Sequence, residues 1–370
     1  MKKLFLSFAA ISCMFLASCN QNDEVTEPAE PGTPALLKVT FASDVNTKAS
    51  GAPVANDESK IGQGIILVFR GTSLNPVLDG KTTFDFSTSG NTAVSVNITA
   101  GANRHVYVIA NISNAADFAG VTRISDLYNL AAKYQLTAMR TGTNLGMSGF
   151  TENIDASAAT TASPATATVQ LHFLGSRIHL DWDLFQLPSN MTGFTITGAY
   201  LLNVKSASDY FAAPGTYLTA NVTSFLYGKS DITGFTGSYL PVSPATNTYD
   251  AALKIADLSA DKGFAKNYFY ALENNSQSPT IVALEGKLGA ETYYYPIIIN
   301  GDQNGSGANN ATNAGDKSLV VQRGNIYNVK AIIKGFGNND PYAPLSKGAI
   351  NVTITPAAWN PVIQIDQEFN

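Results

Sequence analysis

The sequence is poor in the residues that cross-link, coordinate metals or catalyse. Its two cysteines, Cys13 and Cys19, both lie near the start of the 370-residue chain. Everything beyond them therefore folds without a disulfide, by packing and strand pairing alone. There are three histidines. None has a Cys or His at ligand spacing, which excludes a zinc site. His172 and His179 are expected on the polar faces of strands, opposite Leu171/Phe173 and Ile178/Leu180, and His105 at the start of a strand. No Gly-x-Ser-x-Gly elbow and no Gly-Lys-Ser/Thr phosphate loop occurs. With no convergent acid, base or nucleophile visible, no enzymatic activity and no cofactor are expected. Charged residues make up only 14%, well below the roughly 25% of an average soluble protein. The net charge of −5 offers no basic field to nucleic acid. After Ser18 no stretch reaches the roughly 18 apolar residues of a membrane span.

What is present suits strands and turns. Apolar residues make up 45%, and polarity comes mostly from Thr, Ser, Asn and Gly. Met1-Lys2-Lys3 precedes an apolar run from Leu4 to Phe15, the length of a signal-peptide core. It ends in Leu16-Ala17-Ser18-Cys19, which resembles the lipobox of bacterial lipoproteins. That resemblance implies cleavage before Cys19 and acylation of its thiol and new amine. Residues 19–35 are acidic and proline-rich, too polar to fold, and read as an extended tether.

The remaining length suits two domains or three; the composition places them at 36–167 and 168–370. Leu37, Val39 and Phe41 alternate with polar residues, the mark of a half-buried strand. A Ser/Asn/Gly/Pro loop runs from Ser43 to Lys60. Ile65–Phe69 is apolar on both faces and reads as a central strand. Phe84/Phe86, Val94/Val96/Ile98 and Val106/Val108/Ala110 alternate between turn signals, which predicts an antiparallel sandwich. One helix is expected from Ser125 to about Leu136. The small, nearly chargeless stretch 154–168 reads as an interdomain connector or a loose hairpin. Further strands are expected at Ile178–Leu184, Thr195–Leu202, Asn267–Leu272, Ile281–Leu284, Tyr293–Ile299, Tyr327–Ile333 and Ile350–Ile354. Asn300–Asp316 reads as a long solvated loop. The fold class is thus all-β, two antiparallel β-sandwich domains with short helical insertions.

Three features invite a functional reading and receive a plainer one. Asp181 and Asp183 share the outward face of one strand, where paired carboxylates are usually solubilising charge. The loop Asp302-Gln303-Asn304-Gly305-Ser306 lacks the acidic closing ligand of a calcium site, so no metal is expected. Tyr293-Tyr294-Tyr295 is either a sugar-binding face or a sheet of alternating buried and exposed tyrosines.

The lipobox, the strand and loop at Leu37–Gly51, the core strand Ile65–Phe69 and the closing run Val321–Val329 followed by Ile350–Ile354 and Trp359 together resemble a fimbrillin. The family is the lipoprotein pilin of Bacteroidales. The resemblance implies two transthyretin-like β-sandwich domains, export to the outer membrane and cell surface, and assembly into a fimbrium. It also implies that a trypsin-like, typically Arg-specific protease cuts after the first strand. The strand Leu37, Val39, Phe41 then leaves, and the C-terminal strand of another copy or a related subunit fills the groove. In this sequence Lys48, before Ala49, stands where the family has arginine. Lys60 is the other basic residue of the loop, and no arginine occurs between Cys19 and Arg70. The tail Pro361–Asn370 puts Ile363, Ile365 and Phe369 on one face with Gln367 as a polar gap. It is either that donor strand or a final edge strand of its own domain. The competing function is a monomeric surface lipoprotein or tip adhesin that holds host glycans or proteins through exposed aromatics.

Overall fold

The computed structural model describes residues 32–42, 58–86, 93–140, 142–212, 225–241, 247–258, 263, 267–274, 278–299, 312–313, 321–345 and 349–358. The chain divides into Met1–Gly32 and Thr33–Asn370; all that follows concerns the second unit. Its first strands are β1 (Pro34–Ala42), β2 (Gln63–Arg70), β3 (Val77–Asp85), β4 (Ala93–Thr99), β5 (Gly101–Ala110), β6 (Tyr134–Gln135), β7 (Met147–Ala156), β8 (Ala165–Gln170) and β9 (His172–Phe173). Then come β10 (Gly175–Leu184), β11 (Thr195–Leu202), β12 (Val204–Lys205), β13 (Ala207–Ser208), β14 (Phe225–Tyr227), β15 (Thr248–Tyr249), β16 (Lys254–Ile255), β17 (Tyr268–Leu272), β18 (Ile281–Leu288), β19 (Glu291–Ile298), β20 (Thr312–Asn313), β21 (Asn325–Ile333) and β22 (Ile350–Ala358).

The N-terminal half holds a three-stranded sheet, β4-β1-β8, and a five-stranded sheet, β3-β2-β5-β7-β9. Inward side chains of the three-stranded sheet, Leu37, Val39, Val96, Ile98 and Val169 among them, share one core with β2 of the five-stranded sheet. As its sequence anticipates, Ile65–Phe69 of β2 is buried throughout, between β3 and β5. Two glycines let the sheets touch at their margins. A Cβ on Gly80 of β3 would lie 2.2 Å from the Asn97 carbonyl oxygen of β4, and one on Gly149 of β7 would lie 1.9 Å from that of Gln170 in β8. Only glycine permits backbones so close.

The C-terminal half carries a five-stranded sheet, β17-β10-β21-β22-β20, a four-stranded sheet, β16-β11-β18-β19, and the small sheet β12-β14-β15. Pairing is mostly antiparallel, but β1–β8, β10–β21 and the short pairs β14–β15 and β20–β22 are parallel. All four join strands separated by a long connection, as parallel pairing requires.

Three sequence expectations change on contact with the fold. The helix runs only from Ile124 to Tyr128. Asp126 caps its start, accepting from the Thr122 and Arg123 amides, and the Asn129 side chain closes it on the Ser125 carbonyl. Tyr134–Gln135 instead pairs with Ala207–Ser208, because the Tyr134 ring is drawn into the core and its hydroxyl accepts from the Gly146 amide. The stretch 154–168 is a turn between two strands: its start belongs to β7 and its end to β8. The boundary expected between 167 and 168 therefore falls inside β8, and β9 pairs with β7 of the first half.

His179 departs furthest from expectation. It is fully buried, because β10 is flanked by Tyr268 of β17 and Asn328 of β21 at this register position. Burial first, and the Arg177 charge second, lower its pKa to about 4. His105 sits inside β5, not at its start, with Nε2 2.9 Å from the Gly71 carbonyl oxygen.

A buried ion pair joins the halves. Glu58, just before β2, receives two bonds from Arg177 of β10, at 2.9 and 2.8 Å, and one from the Tyr270 hydroxyl of β17. Glu58 and Arg177 are 4% and 1% exposed, so neither charge has solvent to fall back on. Removing one partner of such a pair costs about 3–5 kcal/mol. Glu58→Ala is expected to lower the urea-unfolding free energy by that amount, and Glu58→Leu combined with Arg177→Met to recover most of it.

For His179 the sign follows from its lowered pKa. The unfolded chain takes up this proton near pH 6.5 and the folded chain only near 4, so neutral His179 supports the fold above pH 6.5. That support is lost as the pH falls through this window. The gap corresponds to roughly 3 kcal/mol at most. Between pH 6.5 and 4, His179→Gln is expected to flatten the dependence of unfolding free energy on pH.

Candidate functional site: the groove filled by the first strand

β1 is the middle strand of its sheet. It runs antiparallel to β4, from Pro34 opposite Thr99 to Thr40 opposite Ala93. It runs parallel to β8, from Leu37 beside Ala165 to Ala42 beside Gln170. Among the described residues β4 and β8 pair in this sheet with β1 alone. Ala35, Leu37 and Val39 point inward and are buried. Phe41 is half-buried, its ring 5.3 Å from that of Phe84 and 5.7 Å from that of Phe86. The strand is also tied at its margins: Thr40 Oγ1 donates to the Ala167 carbonyl at 3.3 Å, and the Ala100 amide donates to Thr33 O at 2.8 Å.

The alternation of Leu37, Val39 and Phe41 thus reports a real inward face, graded from full burial to half burial. Leu37 and Val39 together stabilise the fold by roughly 3–6 kcal/mol through burial, set against a total stability of about 5–15 kcal/mol for a typical domain. A sheet whose middle strand left would also present two unpaired edges. Downstream, β1 connects to the rest of the unit only through residues 43–57.

That connection ends in fixed structure. The Glu58 carbonyl accepts from the Leu145 amide at 3.0 Å, and Lys60 O accepts from Asn111 Nδ2 at 2.8 Å. Asn111 Oδ1 in turn accepts from the Gly62 amide at 2.9 Å. Arg70 is the last residue of β2 and is paired on both sides. Lys48 and Ala49 lie outside the described residues, as do Cys19 and the tail residues Ile363, Ile365 and Phe369.

The closing run Val321–Val329 has a role that periodicity does not reveal. Arg323 reaches back across the junction, its Nη1 3.0 Å from Ser148 Oγ of β7 and 3.4 Å from the Tyr210 carbonyl. Burial holds its guanidinium below the usual arginine pKa. Arg323 stands with no other charge within five residues, which is a signal of sorts; Glu58, beside Asp57 and near Lys60, carries no such signal.

The tyrosine run is not an open platform. Tyr295 is fully buried and its hydroxyl donates to the Gly335 carbonyl at 2.8 Å. Tyr294 is buried in a second cluster with Tyr200, Ile298 and Tyr342. Phe235, Tyr239 and Leu240 pack against that cluster, on a segment held by Asp340, which accepts from the Thr236 and Gly237 amides. Among the described residues the large exposed apolar side chains are scattered: Leu74, Phe150, Phe185 and Tyr249. Among the described residues no three His, Cys, Asp or Glu side chains gather as metal ligands, and no helix there is long and apolar enough to cross a membrane.

Comparison with known proteins gives this arrangement a lineage. The chain is 24% identical to the major fimbrium subunit FimA type-2 of Porphyromonas gingivalis, over 97% of this chain and 98% of that protein. Its fold is similar to the crystal structure of a Porphyromonas gingivalis fimbrilin, with a TM-score of 0.67 and 20% identity over 89% of this chain and 99% of that one. It is also similar to that of a Bacteroides eggerthii protein described as a cell adhesion protein, with a TM-score of 0.65 and 24% identity over 90% and 98%. A family model for the major fimbrial subunit protein (FimA) matches residues 35–196, and one for the C-terminal domain of FimA-like major fimbrial subunit proteins matches residues 194–359. The two meet at the start of β11 and leave little of the described structure unmatched: the chain belongs to the FimA-like major fimbrial subunit family of Bacteroidales, non-enzymatic building blocks of a cell-surface fimbrium.

Proposed function

We propose that this subunit is made as a lipoprotein precursor acylated at Cys19, matured by a cut between Lys48 and Ala49, and polymerised by donor-strand exchange. The single observation that carries the reading is the position of β1: the middle strand of its sheet, tied downstream through residues 43–57 alone. A cut there releases the lipid, the tether and the strand in one piece. What remains is a groove lined by apolar side chains and two strand edges. Adding an extended strand restores both backbone ladders and pocket filling.

Among the basic residues, Lys48 suits the cut best. A protease must draw an extended segment into its cleft, and Lys60 lies between Glu58 and Gly62, whose backbones are both hydrogen-bonded. A cut after Lys60 would also remove Glu58 and strand the buried Arg177. A cut after Arg70 would delete β2. Lysine at this position calls for a trypsin-like or Lys-directed enzyme.

The proposed donor is the tail with Ile363, Ile365 and Phe369, supplied by another copy or a related fimbrial subunit. The outer membrane holds the precursor by its lipid until maturation. The alternative, a monomeric surface lipoprotein or tip adhesin for host glycans or proteins, loses its main feature with the burial of Tyr294 and Tyr295.

Mass spectrometry of subunits from isolated fimbriae is expected to find an N-terminus at Ala49 and no lipid. Full-length, Cys19-acylated protein in every assembly would overturn the maturation step. Deleting residues 362–370 is expected to abolish polymers while leaving a folded monomer. Persistence of polymers would move the donor role to another segment.

A further inference from the structure

One wall of the groove is pinned by a buried charge cluster that does not include β1. Asp79 of β3 and Arg104 of β5 have side chains 3% and 6% exposed, with Arg104 Nε 2.8 Å from Asp79 Oδ2. Both hold Thr99, the last residue of β4. The Thr99 hydroxyl donates to Asp79 Oδ1 at 2.7 Å and its amide to Oδ2 at 3.1 Å. Arg104 Nη2 donates to the Thr99 carbonyl at 2.8 Å and hydroxyl at 3.0 Å. Nη1 donates to the Ala102 carbonyl at 2.6 Å.

The backbone is shaped around this guanidinium. The β5–β7 register shifts on both sides of Arg104, between Gly101 and Arg104 and again between Arg104 and Val106. Bulges of this kind re-aim a side chain. A Cβ on Gly101 would come within 2.9 Å of Arg104 Nη2, so glycine there makes room for the group.

The placement matters because Thr99 faces Pro34, the first residue of β1. When β1 leaves, β4 loses the one strand that it pairs with in its sheet among the described residues. An unpaired strand over an emptied core is free to collapse inward or to pair with a foreign edge. None of the cluster's bonds is made to β1.

We propose that Asp79, Arg104 and Thr99 form a splint that holds β4 as a preformed wall of the empty groove, so that the strand of a second copy meets a fixed edge. The proposal rests on the strand-exchange reading above. In it the three are positioning residues: they act through β4 and do not touch the incoming strand.

The test uses the chain from residue 20 with 362–370 deleted, so that copies cannot fill one another. A site for a sequence-specific protease replaces residues 46–52. After cutting and removal of the first strand in mild denaturant, uptake of a dye-labelled peptide of residues 33–43 is timed by fluorescence anisotropy. Thr99→Val, which keeps the shape, and Arg104→Lys are compared with the parent. Hydrogen exchange of the residue-99 amide, which donates to Asp79 and not to β1, is followed in the uncut and emptied forms. In the splint reading the parent keeps this amide protected when emptied, whereas both variants protect it while uncut, lose that protection once emptied, and take up the peptide at least about tenfold more slowly than the parent. Should either folded variant take up the peptide at the parental rate, the splint is refuted and the groove stands. Should the cut parent take up no peptide, the exchange reading fails, and the splint with it.

Discussion

The fold depends on its first strand, which one loop joins to everything downstream. β1 supplies both ladders of the β4-β1-β8 sheet and two fully buried side chains of the N-terminal core. A strand at the edge of a sheet would take one ladder with it. Here the strand is central, and its downstream link is one loop. With no cysteine beyond Cys19, no disulfide can stand in for the missing pairing. Whatever fills the place of β1 decides whether this half is stable, and that dependence is what strand exchange between subunits would exploit.

The scarcity of charge gives the few buried charges unusual leverage. Glu58 with Arg177, Arg323 with Ser148, and Asp79 with Arg104 each sit where two parts of the chain must stay together. The first two bind the halves; the third holds a wall of the groove. All three use arginine, whose planar, weakly hydrated guanidinium tolerates burial when its donors find oxygen. A buried pair adds little net stability relative to well-packed apolar groups. What these pairs do supply is a fixed geometry beside a site that, on the proposed mechanism, is emptied and refilled.

Much of this was legible in the sequence. Alternation marks β1, and the unbroken apolar run marks β2 as a strand covered on both faces. The strands at Thr195–Leu202 and Tyr327–Ile333 lie where the pattern puts them. What escaped depends on pairing between distant segments. The partner of β1 on its parallel side comes from a stretch so small and polar that it reads as a connector, because a strand under a plug needs only Ala167 and Val169 to face inward. The tyrosine run and His179 escaped for a related reason. Periodicity tells one face of a strand from the other, but not what covers the outer face; here a segment held by Asp340 covers the tyrosines, and His179 is flanked by Tyr268 and Asn328 of the strands on either side.

The two neighbours of β1 also set terms for anything that replaces it. A strand that reproduces both ladders must run parallel to β8 and antiparallel to β4, so the groove has a direction. The side chains it receives are graded from the small Ala35 site through Leu37 and Val39 to the half-open Phe41 site between Phe84 and Phe86. On the proposed exchange, laying Phe369 at the Phe41 site would bury the Gln367 amide at the closed Val39 site, which is costly without hydrogen-bond partners. Moving the tail two residues along puts Ile363 at the Leu37 site, Ile365 at the Val39 site and Gln367 at the half-open position, where its amide keeps access to water. On the proposed exchange the polar gap in the tail then meets the one inward position of the groove that is not sealed, with Pro361 at the Ala35 position and Phe369 past the last residue of β1.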